Sequence, residues 1–243
     1  MAAKIKYAAQ LSHVREVSLR GTADLEYWAE RLRGEKLVPT QERGRAQILV
    51  IAADSRFMGI RFTELSFSVL ATATNGHAAD GGGAEGAYLL RAFNSVRFFA
   101  FCERALFKTP YYRGTTRVQA EFPAAVELTV GGRIVYRAAM QSGGGASKRV
   151  PTQSGEGGWS GPIYLSGRER LFFATISGHT ETYSFGASDT LLLQPSPESQ
   201  VLQALVDSHF QPCEWSLRTD ASHAKSKTYR REVAATLAAG LSG

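Results

Sequence analysis

Two cysteines, Cys102 and Cys213, in 243 residues are too few for a disulfide framework. The chain opens without a basic stretch leading into a short apolar core, so no secretory leader is expected. The cysteines therefore read as buried thiols of a reducing compartment, and the expected location is cytoplasmic. No stretch approaches the roughly eighteen consecutive apolar residues of a membrane-spanning helix, which argues against a membrane partner. Lysine and arginine outnumber aspartate and glutamate by 28 to 22, a net charge of +6, yet the basic residues are scattered singly. Without a basic block, nucleic acid is not the expected partner. The five histidines, His13, His77, His179, His209 and His223, include no pair at the i, i+4 spacing of a helical zinc site. Neither cysteine has a partner at C-x-x-C spacing, so no metal is expected. Cofactor motifs are missing too. Gly81-Gly82-Gly83-Ala84-Glu85-Gly86 lacks the Lys-Ser/Thr pair and flanking helix of a phosphate loop and reads as a hairpin connection. Gly143-Gly144-Gly145 fails the same test, and no G-x-S-x-G elbow occurs.

What is present describes an ordinary globular chain, 44% apolar and 21% charged, long enough to build a core without staples. The pattern predicts an α+β fold, mostly antiparallel sheet or barrel-like, with a few packed helices in one domain spanning 1–243. A strand is expected at Val14–Leu19, then a helix capped by Thr22, with Leu25, Trp28, Ala29 and Leu32 on one face and Gly34 at its end. Ala46–Ala52 is a continuous apolar run, as in a strand buried on both faces. From Arg61 onward Phe62, Glu64, Ser66 and Ser68 share one strand face, and Thr63, Leu65, Phe67 and Val69 the other. Another strand covers Gly86–Phe93.

Between Ser95 and Phe107 the period turns helical, with Val96, Phe99, Ala100, Glu103 and Phe107 on one face and Phe98, Phe101 and Cys102 widening it. So apolar a helix is expected to be deeply packed. Strands follow at Thr115–Phe122, Ala125–Val130 and Arg133–Met140, the last two joined by a tight turn at Gly131-Gly132. The Gly- and Ser-rich stretch 142–161 reads as a mobile loop. Strands at Pro162–Leu165, Leu171–Ile176 and Thr180–Phe185, a helix over Ser196–Ser208 and a short strand at Glu214–Leu217 precede a basic, Ala-rich tail.

Two stretches carry a more specific signal: Gly59-Ile-Arg-Phe-Thr-Glu-Leu65, and Arg104-Ala-Leu-Phe-Lys-Thr-Pro-Tyr-Tyr112 at the end of the apolar helix. With the hairpin strands that follow, this order resembles the acetoacetate decarboxylase-like superfamily, loosely over residues 46–190. The resemblance implies that an aromatic-x-Glu strand places Glu64 in a pocket. It also implies that a helix bearing Arg104 leads through Pro110 to the position of the family's catalytic lysine pair. Here that pair is Tyr111-Tyr112, and a phenol cannot form an imine with a keto acid. The family's Glu after the arginine is Ala105 and its Gly is Phe107. Pro110-Tyr111 and Tyr164-Leu-Ser-Gly-Arg-Glu-Arg-Leu-Phe172 look closer to the superfamily's uncharacterised YqjF-type branch.

By this resemblance Tyr111 and Glu64 are the acid–base candidates, Tyr111 donating to a developing enolate and Glu64 acting as base or as partner of Arg104. Arg104 would anchor a carboxylate, with Tyr112 beside it on the ligand. Lys108, three residues before Tyr111, is the candidate for a displaced imine-forming lysine, against the simpler reading of a solvated lysine at a helix C-terminus. The expected function is binding of a small, anionic organic ligand in an interior cavity, without cofactor and without the family's Schiff-base decarboxylation. The alternative is a non-imine lyase, hydratase or isomerase acting on a small keto or hydroxy acid. The superfamily's habit of assembling implies a homo-oligomer.

Overall fold

The computed structural model describes residues 5–74, 85–141, 149–167 and 169–232. The first segment holds β1 (Tyr7–Ala23), α1 (Leu25–Arg33), the short β2 (Leu37–Pro39) and β3 (Gln41–Glu42), β4 (Arg45–Phe57) and β5 (Ile60–Ala73). Next come β6 (Glu85–Asn94), α2 (Arg97–Cys102) continuing as a π-helical turn over Glu103–Phe107, β7 (Tyr111–Arg113), β8 (Thr115–Gln119), β9 (Ala125–Val130) and β10 (Arg133–Ala139). The rest is β11 (Gln153–Leu165), β12 (Arg170–Ser184), β13 (Thr190–Leu193), a 3-10 turn at Pro197–Ser199 running into α3 (Gln200–Asp207), β14 (Gln211–Ser226) and β15 (Tyr229–Arg230).

Seven strands close into a ring in the order β5, β4, β1, β14, β12, β11, β6 and back to β5. All pairings in it are antiparallel except β6 with β11. At that parallel crossing a Cβ on Gly86 would lie 2.1 Å from the Pro162 carbonyl oxygen, so only glycine admits the approach. A second sheet, β8, β9, β10 and β13, packs on the outside of the ring. Its β9–β10 hairpin turns at Gly131 and Gly132 with φ of 58° and 78°, the left-handed pair that a two-residue hairpin loop requires.

Strict alternation gives the ring strands two jobs. In β1, β4 and β5 one face (Val17, Leu19, Val50, Ala52, Leu65, Phe67, Val69) packs against Val126, Leu128 and Tyr136 of the outer sheet. Phe67 and Tyr136 meet edge to face at 5.6 Å. The opposite face turns into the ring. Ala46–Ala52 reads as apolar throughout because one face meets the core and the other, Leu49 and Ile51, lines an interior space.

Several boundaries differ from the sequence expectation, each for a physical reason. Asp24 rather than Thr22 caps α1, its Oδ1 accepting the Tyr27 amide at 3.0 Å, because Thr22 still belongs to β1. The helix predicted to 107 leaves α-geometry at Glu103, and its outer face is not packed: Phe98, Phe101 and Leu106 are exposed. Residues 153–161, expected as loop, are the first half of β11, in continuous register with β12 from Gln153–Thr182 to Leu165–Arg170. This half carries Trp159 as its one large apolar side chain, so backbone pairing does most of the holding and the alternation that marks a strand is missing. Residues 142–148 and the glycines at 81–83 lie outside the described residues. The supposed tail begins as the second half of β14, which runs on to Ser226. Cys213 is exposed and Cys102 is half-buried against the interior space, so neither is a fully buried thiol. Among the described residues no helix is long and apolar enough to cross a membrane.

Candidate functional site

The ring encloses a cavity of about 500 Å³. Most of its wall is apolar, including Leu49, Ile51, Leu70, Leu89, Ile163, Phe172 and Ile176. Across it runs one lateral row of paired residues from five strands, Arg218 (β14), Glu16 (β1), Ala53 (β4), Glu64 (β5) and Asn94 (β6). Cross-strand partners point to the same side of a sheet, so this row sets two carboxylates facing the lumen with only Ala53 between their strands.

At the Glu64 end, β7 brings Tyr111 to the lumen. Its Oη donates to Glu64 Oε1 at 2.7 Å, and Asn94 Nδ2 donates to Oε2 at 3.3 Å. Tyr111 is 6% exposed. Glu64 touches the open space of the lumen but is enclosed by protein at depth. Burial pushes its carboxyl above the usual range, and the Glu103 charge adds to this. The Tyr111 and Asn94 hydrogen bonds and the Lys225 charge pull it back without reversing the shift. Burial, then the charges of Glu64 and Glu103, push the Tyr111 phenol well above its ordinary value.

The π-helical turn aims Glu103 inward. There it accepts from Thr109 Oγ1 at 2.6 Å and pairs with the ammonium of Lys225, which reaches in from β14. Lys225 Nζ also lies 4.5, 5.0 and 5.2 Å from the ring centres of Phe172, Phe107 and Tyr111. A cation, two carboxyls and a phenol thus converge at one end of an otherwise apolar chamber.

Further along the wall, the side chain of Glu16 is fully buried. Its Oε1 accepts from Arg218 Nη1 at 2.5 Å and from Ser18 Oγ at 2.7 Å, and its Oε2 lies 2.6 Å from His223 Nε2. Burial raises its pKa, but His223 and Arg218, with the Ser18 hydroxyl, outweigh burial and hold the carboxyl below its usual value.

Of the residues expected from sequence, Glu64 and Tyr111 meet in the lumen and the other three do not. Arg104 points outward, its Nη1 donating to the Tyr111 carbonyl at 2.9 Å. It positions β7 rather than facing the cavity. Tyr112, the next residue on a strand, necessarily faces the other way. It is covered by Arg91 at 4.1 Å and Arg104 at 5.6 Å from its ring centre. Lys108 is exposed, closes the π turn in a left-handed conformation (φ 58°) and does not line the cavity. Among the described residues the lysine that lines the lumen is Lys225, in the segment whose pattern predicts a tail. Glu103 already shared a helical face with Phe99 and Phe107, and Glu16 and Ser18 alternate with Val17 and Leu19, so both signals were present. His223 and Lys225 become legible only once the strand is carried past Leu217. Among the described residues, no three His, Cys, Asp or Glu side chains gather as a metal site would need.

The fold matches known structures along nearly the whole chain. Acetoacetate decarboxylase from Legionella pneumophila superposes with a TM-score of 0.60 at 11% identity, covering 94% of this chain and 89% of that one. The chain has the acetoacetate decarboxylase-like fold. The enduracididine biosynthesis enzyme MppR, solved with pyruvate, is similar at a TM-score of 0.58 and 13% identity over 95% of this chain and 92% of that one. An acetoacetate decarboxylase-like enzyme from Sphingomonas wittichii RW1 gives 0.51 at 12% identity, with 91% of each chain covered. No protein-family model matches the sequence, and no curated protein does.

Proposed function

We propose that the lumen binds an organic carbonyl compound of the oxo-acid class and that Tyr111 and Glu64 exchange protons with it. The observation that carries this is the 2.7 Å Tyr111–Glu64 hydrogen bond inside an apolar chamber, with the Lys225 cation beside it. The cavity falls within the ~300–1,000 Å³ typical of sites for drug-sized ligands. The ligand therefore has an apolar body against Leu49, Ile51 and Ile163, and a carbonyl or carboxylate head at Lys225. A carboxyl whose pKa is raised is a stronger base once ionised, which suits Glu64 to taking a proton from the carbon beside a carbonyl. Tyr111 then donates its hydrogen bond to the enolate oxygen, in a site whose wall is mostly apolar. Position 111 carries a phenol, so the imine route is lost at that position. MppR, of the same fold, has been solved with pyruvate, an oxo acid, which supports this substrate class. On Pro110-Tyr111 we place the chain in the YqjF-type branch, acting in the cytoplasm as a homo-oligomer. Exposed Met58, Phe98, Phe101 and Leu106 supply apolar surface for assembly.

A second reading is favoured by Lys225. Its amine, deprotonated through Glu103, would attack a carbonyl carbon, forming the C–N bond, and the carbonyl oxygen would leave as water with both amine hydrogens. One experiment separates the two. Deuterium exchange at C3 of 2-oxooctanoate is followed by proton NMR, alongside borohydride reduction and intact mass. The acid–base reading expects exchange that falls by about a hundredfold in Glu64→Gln and in Tyr111→Phe, with no reduced adduct. An adduct that vanishes in Lys225→Met replaces it with the imine reading. Exchange no faster than in buffer, with no adduct, sinks both.

A further inference from the structure

Asn94 touches the acid–base pair without belonging to it. It ends β6, where it pairs with Glu64 on one side and with Arg113 on the other, and it is 3% exposed. Its Oδ1 accepts the backbone N–H of Val96 at 2.9 Å, at the entry to α2, and its Nδ2 donates to Glu64 Oε2 at 3.3 Å. The first bond fixes the second. A backbone N–H can only donate, so the amide atom facing Val96 must be the oxygen, and the amino group is turned to Glu64. The entry to α2 is itself stitched to β5: the Ser95 N–H donates to the Thr63 carbonyl, and Ser95 Oγ accepts from the Thr63 N–H. The orientation of Asn94 is therefore set by the backbone around it. It gives a hydrogen bond to Glu64 and cannot take one from it.

We propose that Asn94 is the positioning residue of the proton transfer, its locked amide holding Glu64 Oε2 while Tyr111 holds Oε1, so that the carboxylate plane is fixed as an acceptor in the lumen. This rests on Tyr111 and Glu64 exchanging protons with a ligand. One bond alone would leave the carboxyl free to turn about its soft terminal torsion; two donors, from β6 and β7, do not. Among the described residues no other group donates to Oε2. Both donors favour the ionised form against burial, the largest influence on Glu64. The titratable groups around this carboxyl are Tyr111 from β7, Glu103 from the π turn and Lys225 from β14, with Glu16 of β1 beyond Ala53. Asn94 adds a donor to this set without adding a charge, which orients the base and leaves its proton affinity to the others.

The test follows the Glu64 carboxyl infrared band, assigned by its absence in Glu64→Gln, against pH in the full chain. Asn94→Ser still offers an oxygen to the Val96 amide but is too short to reach Glu64, and should move the midpoint upward by about half a pH unit. Asn94→Asp keeps the Val96 bond and sets a second carboxyl against Oε2, and should move it upward by about one pH unit or more. In the unaltered protein the nitrogen-15 resonance of the Asn94 side-chain amide should titrate with the Glu64 midpoint, a reading that needs no variant to fold. An amide resonance that does not titrate overturns the positioning role. So does a midpoint that moves in Asn94→Asp but not in Asn94→Ser, since added charge alone would then account for it. The rising pH limb of C3 exchange from 2-oxooctanoate should move with the infrared midpoint in each variant, and a limb that stays in place overturns the role in proton transfer. No exchange by the unaltered protein, with the infrared shifts as expected, overturns the acid–base reading and supports Asn94 as the group that orients Glu64.

Discussion

Glu64 and Glu16 face one lumen from strands two apart, yet their carboxyls are shifted in opposite directions, Glu64 upward and Glu16 downward. Burial acts on both in the same sense, so the partners decide. Glu64 meets two neutral donors, Tyr111 and Asn94, with the charges of Glu103 and Lys225 acting on it in opposite senses. Glu16 meets Arg218 and His223. In the proposed function the first end moves a proton, while the partners of the second hold Glu16 as a fixed charge. A buried carboxylate tied to cations is a structural and binding element, whereas one held by a phenol and an amide is available for chemistry.

The sharpest way to break this contrast is to remove a cation from the Glu16 end. Arg218→Ala leaves a fully buried carboxylate with His223 and Ser18 only and should destabilise the protein by about 3–5 kcal/mol in urea unfolding. The corresponding change at the other end is milder. Tyr111→Phe removes one hydrogen bond to a carboxyl that also touches open space and should cost about 1–2 kcal/mol by the same measurement. It should also raise the Glu64 pKa further, because a bond that lowers it is gone, and the carboxyl infrared band followed against pH reads this directly.

The pH dependence of stability sharpens the comparison. The folded pKa of Glu16 lies below the usual 4.5, so its contribution is present above the unfolded value and is lost as pH falls through the folded one. The raised folded pKa of Glu64 gives the reverse: its contribution is present below 4.5 and is lost as pH rises through the folded value. Glu16→Gln should therefore flatten the acid limb of a urea-midpoint profile, and Glu64→Gln the limb above 4.5. Exchange of these two effects would refute the assignment of roles. The smallest effect belongs to Lys108. Lys108→Ala should change stability by less than about 0.5 kcal/mol and leave binding of 2-oxooctanoate as it was, since the side chain is solvent-exposed outside the lumen.

The half of the site that could be read from sequence lies where local pattern and function coincide. Glu64 sits on a strand whose alternation is plain, and Tyr111 follows a helix and a proline in an order resembling a known family. Arg104 and Tyr112 do not line the lumen, because sequence proximity to Tyr111 does not fix which side of the wall a side chain takes. The π-helical turn places Glu103 inside and Arg104 outside, and strand alternation sends Tyr112 away from the lumen. The far half was hidden by the cavity itself. A strand that lines a polar seam has no apolar face to announce it, so β14 beyond Leu217 looks like a basic tail although it carries Arg218, His223 and Lys225.

The sequence by itself determined the strands that carry one apolar face, such as β4 and β5, because alternation is a local property of the chain. It also determined that no lysine stands at position 111. Only the tertiary structure decided that seven strands close on themselves, and closure is what makes an interior out of faces that would otherwise look solvated. It brought Lys225 from the end of the chain to Glu103, 122 residues away, and Glu16 to His223 across 207. Such meetings depend on ring order and register, which no local pattern encodes.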